Sequence, residues 1–164
     1  MAVVRIVVLS DTHAPRRWKA CPPRVAEHLR GADVILHGGD VCTADVLDEL
    51  AQYAPVHAVL GNIDGWDVRA AGVPEQLQLS LGGVEVAMVH DAGPRQGREA
   101  RLRRRFPAAA VIVFAHSHQP VNELVDGVLY LNPGSPTWKR RAAYPSVLRL
   151  VIGAEGADAT LIPL

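Results

Sequence analysis

Apolar and polar positions follow two styles along this chain. The run "VVRIVVL", Val3 to Leu9, is rich in β-branched residues and lacks clean alternation, which predicts a strand covered on both faces in a parallel or mixed sheet. "PPRVAEHLRGA" predicts a helix opened by proline, whose missing N–H is no loss there, and closed by glycine. "DVILHGGD" predicts a second strand running into a glycine turn, Thr43 is placed to cap a helix reaching about Gln52, and "PVHAVLGNID" predicts a third strand. This β-α-β-α-β order predicts right-handed crossovers and parallel strands whose C-termini share one edge. Beyond it the style changes. "QLQLSLGGVEVAMVH" predicts a hairpin about Gly82-Gly83, "PRQGREARLRRRF" a helix, "AAVIVFAHSH" a strand, "VNELVDGVLYLN" a second hairpin and "PSVLRLVIGAEGADATLIPL" a closing strand pair. The sum is an α/β fold of two sheets packed together with helices outside, one domain over residues 1–164.

Composition narrows the function classes. A chain of 164 residues can bury roughly 70% of its unfolded surface, so it needs no metal or disulfide merely to fold. Seventeen basic residues balance seventeen acidic ones, which gives no reason to expect stable nucleic-acid or membrane association. Cys21 and Cys42 form no C-x-x-C pair, which fits a reduced, cytoplasmic protein. The opening apolar run is short, interrupted by Arg5 and followed by Asp11 and His13, so it reads as a strand and not as a signal peptide. No run approaches the ~20 apolar residues of a membrane helix.

Candidate chemistry sits where the apolar runs stop. "SDTH" supplies Asp11 and His13, "HGGD" Asp40, "GNID" Asn62 and Asp64, "VHD" His90, and "AHSH" His116 and His118. In open α/β sheets ligands bind outside the carboxyl ends of strands, which is where each of these groups falls. One such residue is ordinary turn chemistry. A convergence of carboxylates, an amide and four imidazoles on one edge requires compensation, which divalent cations supply. Seven protein groups suit two ions about 3.5–4 Å apart with a shared carboxylate better than one.

In this order and spacing the motifs "DTH", "GGD", "GNID", "VHD" and "AHSH" resemble those of the calcineurin-like metallophosphoesterases, in particular their small prokaryotic YfcE-type phosphodiesterases. The resemblance runs from about Val3 to Ser135 and includes "NPGS". It implies a four-layer αββα sandwich of two mixed β-sheets flanked by helices. It also implies that Asp11, His13 and His118 hold one ion, that Asp40 bridges, and that Asn62, His90 and His116 hold the second. Asn62, Asp64 and His90 are the expected catalytic residues, Asp64 by orienting neighbours or ordering water. The implied chemistry is hydrolysis of phosphate esters by a metal-activated hydroxide, with no nucleophilic side chain. Many relatives place a histidine after the asparagine of G-N; here that place is Ile63, as is common in the YfcE branch. Mn²⁺ is the working expectation, and Ni²⁺, Fe²⁺ or Zn²⁺ suit the same donors.

The competing function is a protein-binding scaffold of the same fold, as in the small retromer subunit. Against it, all seven proposed ligand positions hold chemically competent side chains. The expected partner is a small phosphorylated substrate, with a nucleotide among the candidates. An exposed hairpin edge leaves a homo-oligomer open. His37 divides evenly between hydrogen-bonding the site and a satisfied interior histidine, while His28 and His57 fall outside. Arg16, Arg17, Lys139, Arg140 and Arg141 flank the motifs and could meet a phosphate beyond the metals. The arginines of the 98–105 helix read as a solvated face. Trp18, Trp66 and Trp138 read as packing under loops before stacking on a base.

Overall fold

The computed structural model describes residues 2–164. The first sheet is ordered β10-β9-β1-β2-β3, with β1 (Val4–Leu9), β2 (Val34–His37) and β3 (Val56–Ala58) parallel and β9 (Ser146–Gly153) and β10 (Gly156–Pro163) antiparallel. The second is ordered β4-β5-β6-β8-β7. Its centre, β5 (Val84–Val89), β6 (Val111–Val113) and β8 (Val128–Asn132), is parallel, and β4 (Gln76–Leu81) and β7 (Val121–Val125) run antiparallel at its edges. The helices are α1 (Pro23–Leu29), α2 (Asp45–Ala51), α3 (Trp66–Ala70) and α4 (Arg98–Arg105).

The two-residue period of a strand sorts β1 into two layers. Ile6 and Val8 pack with Leu148 and Leu150 against Val86, Met88, Val111 and Leu131 of the other sheet, a dry seam between the sheets. Val7 and Leu9 face outward, onto Val25 and Leu29 of α1, Val46 and Leu50 of α2 and Val68 of α3. On the far side Ala87, Ile112 and Tyr130 bury Leu102 and Phe106, at and beside the end of α4. Each of these leucines contributes about 1.5–3 kcal/mol by leaving water. The four layers αββα follow directly.

Several local expectations shift. Thr43 makes no side-chain cap; the N-cap position of α2 is Ala44, whose N–H donates to Asp67 Oδ2 at 3.0 Å. The third strand stops at Ala58, because Leu60 N–H leaves the ladder for the carbonyl of Pro74. The short α3 had no sequence signal strong enough to predict it. Two of the α4 arginines turn inward. Arg98 is buried over the Phe114 ring at 4.7 Å, and Arg101 donates to the carbonyls of Ala92, Pro94 and Gln96. Trp18 is buried and donates to Glu49 Oε1 at 2.7 Å, whereas Trp66 is exposed. No helix among the described residues is long and apolar enough to cross a membrane.

Candidate metal centre

The loops after β1, β2 and β3 of the first sheet and after β5 and β6 of the second meet at one rim. There they form two groups, Asp11 with His13 and His118, and Asp40 with His90 and His116, the donor atoms within each lying within 4.8 Å of one another. Five of these six residues have left-handed backbone, with φ of 55° at Asp11, 50° at His13, 53° at Asp40, 73° at His116 and 60° at His118. Such conformations cost on the order of 1–3 kcal/mol each for residues with a Cβ and persist only where surroundings impose them.

Those surroundings are hydrogen bonds and close backbone approaches. One Asp11 oxygen, Oδ2, accepts from the Ser10 hydroxyl at 2.8 Å and from His116 N–H at 3.3 Å. Its other oxygen faces His118 Nε2 at 3.4 Å and His13 Nε2 at 3.7 Å. Asp11 Oδ1, His13 Nε2 and His118 Nε2 are buried without any hydrogen-bond partner. Three orphaned buried polar atoms aimed at one another are costly unless a cation lies between them. Their separations are too wide for hydrogen bonds and suit donors to one ion about 2.1 Å from each.

The second group is built in the same way. His90 Nδ1 donates to the carbonyl of Gly38 at 2.7 Å, and His118 Nδ1 to that of Trp138 at 2.5 Å. A carbonyl only accepts, so in the neutral rings the proton sits on Nδ1 and Nε2 is bare for a metal. Asn62 Oδ1 lies 3.1 Å from His90 Nε2 and 3.0 Å from His116 Nδ1, which brings Asn62 to this group. Asp40 Oδ2 sits between the groups, 3.3 Å from His90 Nε2 and 3.8 Å from His13 Nε2. Burial opposes ionisation of both aspartates, yet the imidazoles outweigh it: His118 and His13 hold the Asp11 carboxyl well below the usual carboxylate range, and His90 lowers that of Asp40. Burial pulls His90 down, but Asp40 and Asp11 raise it above its ordinary value.

Gly39 and Gly61 make room for this. A Cβ on Gly61 would run into the backbone and carboxylate of Asp40, and one on Gly39, at φ 101°, would come within 2.7 Å of His90 Nδ1. Asp64 lies beneath the site, not in it. Its Oδ2 accepts from the N–H groups of Asp40 at 3.0 Å and Gly61 at 2.8 Å, and its Oδ1 from Cys42 at 2.7 Å. Ser135, the last residue of "NPGS", is buried under the site, donating to the Asp11 carbonyl at 2.8 Å and accepting from Trp138 N–H at 2.9 Å. His37 is fully buried; its Nδ1 accepts from Gly39 N–H at 3.1 Å and its Nε2 meets the Thr12 hydroxyl at 3.1 Å, and burial pushes its pKa down to about 4. His28 and His57 lie in α1 and β3, outside both groups.

Asn132, quoted from sequence only as the start of "NPGS" and given no role there, donates from its amide to the Ala115 carbonyl and the Ser117 hydroxyl and so pins the turn that carries His116 and His118. A cleft of about 550 Å³ opens onto the two groups, lined by His13, Asp40, Asn62, His116, Ile63 and Trp138 with three arginines.

Fold and donor set together define a metal-binding α/β sandwich. The chain belongs to the calcineurin-like phosphoesterase superfamily, whose domain matches residues 4–155. A probable metallophosphoesterase of Methanothermobacter thermautotrophicus is 39% identical over 162 residues, covering 96% of this chain and 91% of that protein. Among solved structures, Vacuolar Protein Sorting 29 from Cryptosporidium parvum superposes with a TM-score of 0.79 at 20% identity, covering 99% of this chain and 98% of that one. A novel archaeal phosphodiesterase gives a TM-score of 0.75 at 20% identity, covering 98% and 100%. At such identities the two structures speak for the fold alone. Family membership implies divalent metal ions, and the two donor groups fit them.

Proposed function

We propose that this protein is a dinuclear metal-dependent phosphodiesterase, with Asp11, His13 and His118 as ligands of one ion, Asp40 between the two, and Asn62, His90 and His116 as ligands of the second. The observation that carries this is the trio of buried, partnerless atoms Asp11 Oδ1, His13 Nε2 and His118 Nε2. Bound there, two divalent cations supply Lewis acidity toward a phosphoryl group and lower the pKa of an attacking water toward ~7. The chain does the rest. The carbonyls of Gly38 and Trp138 hold two imidazoles in the ligating tautomer, and Asp64 fixes the backbone at Asp40. Burial of the first group excludes bulk water from the charges.

Ile63, half-exposed at the cleft, carries no proton to give a leaving group. General acid catalysis is worth about 10²–10⁴-fold where it operates, so the protein favours diesters and good leaving groups over alkyl monoesters. Mn²⁺ is the proposed metal, the substrate a small phosphate ester of the nucleotide kind, and the location cytoplasmic. The test is metal content and hydrolysis of bis(p-nitrophenyl) phosphate after Mn²⁺ loading. Saturable turnover that a chelator abolishes is the expected result. Absence of both metal uptake and turnover would transfer the reading to a protein-binding scaffold of the same fold.

A further inference from the structure

Trp138 stands at one wall of the metal cleft with two cations on it. The guanidinium carbon of Arg17 lies 4.5 Å from the indole centroid and that of Arg140 4.6 Å. Both arginines line the cleft that also holds His13, Asp40 and His116. Among the described residues neither has a carboxylate within ion-pair distance, Arg98 being the arginine that does, and neither guanidinium donates a hydrogen bond. Arg101 is the contrast, its fork filled by three backbone carbonyls.

Cation–π stacking uses the face of a guanidinium and leaves its N–H edge free. Two exposed forks thus sit on one ring with no protein acceptor among the described residues at their N–H edges. Arg140 is held there in left-handed backbone, at φ 49°. The ring itself is tied to the metal centre. The Trp138 main-chain carbonyl accepts from His118 Nδ1, its main-chain N–H donates to the Ser135 hydroxyl, and Thr137 beside it donates from its hydroxyl to the Thr12 carbonyl at 3.0 Å. The indole packs edge-on against His13 and His118, with centroids 5.1 and 5.5 Å away. The reach from the metal groups to the indole that carries the two forks is therefore set by the fold.

We infer that the cleft takes a phosphodiester bearing a second phosphate, the scissile group at the metal centre and the second received by Arg17 and Arg140 on Trp138. This rests on the phosphodiesterase reading above. A carboxylate has two oxygens, which one fork satisfies; a terminal phosphate has three and up to two charges, which matches two forks. A cleft of about 550 Å³ is of the size that takes a small molecule of this kind.

The test uses two chromogenic diesters with one leaving group, the p-nitrophenyl esters of thymidine 5′-phosphate carrying either a 3′-hydroxyl or a 3′-phosphate. Mn²⁺-loaded wild-type protein is expected to show a KM about tenfold or more lower for the 3′-phosphate ester. In Arg17→Ala and in Arg140→Ala that KM ratio falls toward one, with the kcat ratio of the two esters unmoved. Equal KM values in the wild type, or an unchanged ratio in both variants, overturn the inference. If neither ester is hydrolysed, the phosphodiesterase reading is what fails. The anion site is then judged by titrating inorganic pyrophosphate into the metal-free protein and following tryptophan fluorescence. Saturable binding that weakens about tenfold in each variant supports it, and binding that is absent or equal in the variants overturns it.

Discussion

Replacing Asp64 by asparagine separates a structural role from a chemical one. The carboxylate accepts three backbone N–H bonds, of 3.0, 2.8 and 2.7 Å, from Asp40, Gly61 and Cys42, and it is 6% exposed. An amide keeps one acceptor atom and turns the other into a donor, so Asp64→Asn must face at least one N–H with another N–H. Hydrogen bonds to charged groups contribute about 1.5–3 kcal/mol each, and loss of one or two gives a destabilisation of roughly 2–4 kcal/mol. For a chain of this length that lowers Tm by about 5–15 °C. Thermal unfolding of the metal-free protein, with chelator present, measures it without interference from ligand binding. Mn²⁺ affinity should fall about tenfold as well, because the Asp40 backbone loses its anchor. A variant whose Tm and Mn²⁺ affinity match the wild type while its kcat collapses would refute this reasoning, since Asp64 would then act on the substrate itself.

Further outcomes follow from the same geometry. Unfolded histidine titrates near 6.5 and buried His37 near 4, so the unfolded state binds the extra proton between them; the His37 contribution to stability of the metal-free protein falls by about 3 kcal/mol as pH drops from 6.5 to 4. His90, which burial pulls down but Asp40 and Asp11 raise, works the other way, so in His37→Gln the stability should no longer decline over that range, and an unchanged slope assigns the decline elsewhere. Mn²⁺ should raise Tm in the wild type but far less in His118→Ala, measured by thermal shift across a metal titration; equal shifts would show that the orphaned trio is not the site. Asp40→Asn should lose most turnover while its circular dichroism and metal-free Tm stay near wild type, and full activity would contradict its place between the two groups. Ile63→His should gain rate most for diesters with poor leaving groups, read from a leaving-group series; a uniform gain would show that proton donation is not what Ile63 lacks.

Much of this site could be read from the chain because its residues follow strand ends, and strands announce themselves by apolar runs. The parallel ladder of β1 and β2 delivers Asp11 and Asp40 side by side, as the order of elements implies. What was not legible depends on contacts between distant segments. The cap of α2 comes from Asp67, which no local pattern around Thr43 reveals. The partner of His118 is a main-chain carbonyl, that of Trp138, and main-chain atoms carry no signature in sequence. Asp64 reads as one more polar residue beside the others, and only its three N–H partners show that it holds the main chain of Asp40, Gly61 and Cys42. Arg98 and Arg101 looked like surface charge because helical spacing alone does not say that Phe114 and three carbonyls wait beneath.

Each donor group takes members from both sheets. Asp11 and His13 follow β1 and meet His118 after β6, while Asp40 and Asn62 follow β2 and β3 and meet His90 and His116 after β5 and β6. A filled centre would therefore rivet one half of the sandwich to the other. Slippage at the seam by a few tenths of an ångström would pull the donors apart long before the hydrophobic contacts failed. Repacking of residues such as Met88 and Leu150, deep in the seam and outside both donor groups, would then alter how tightly ions are held.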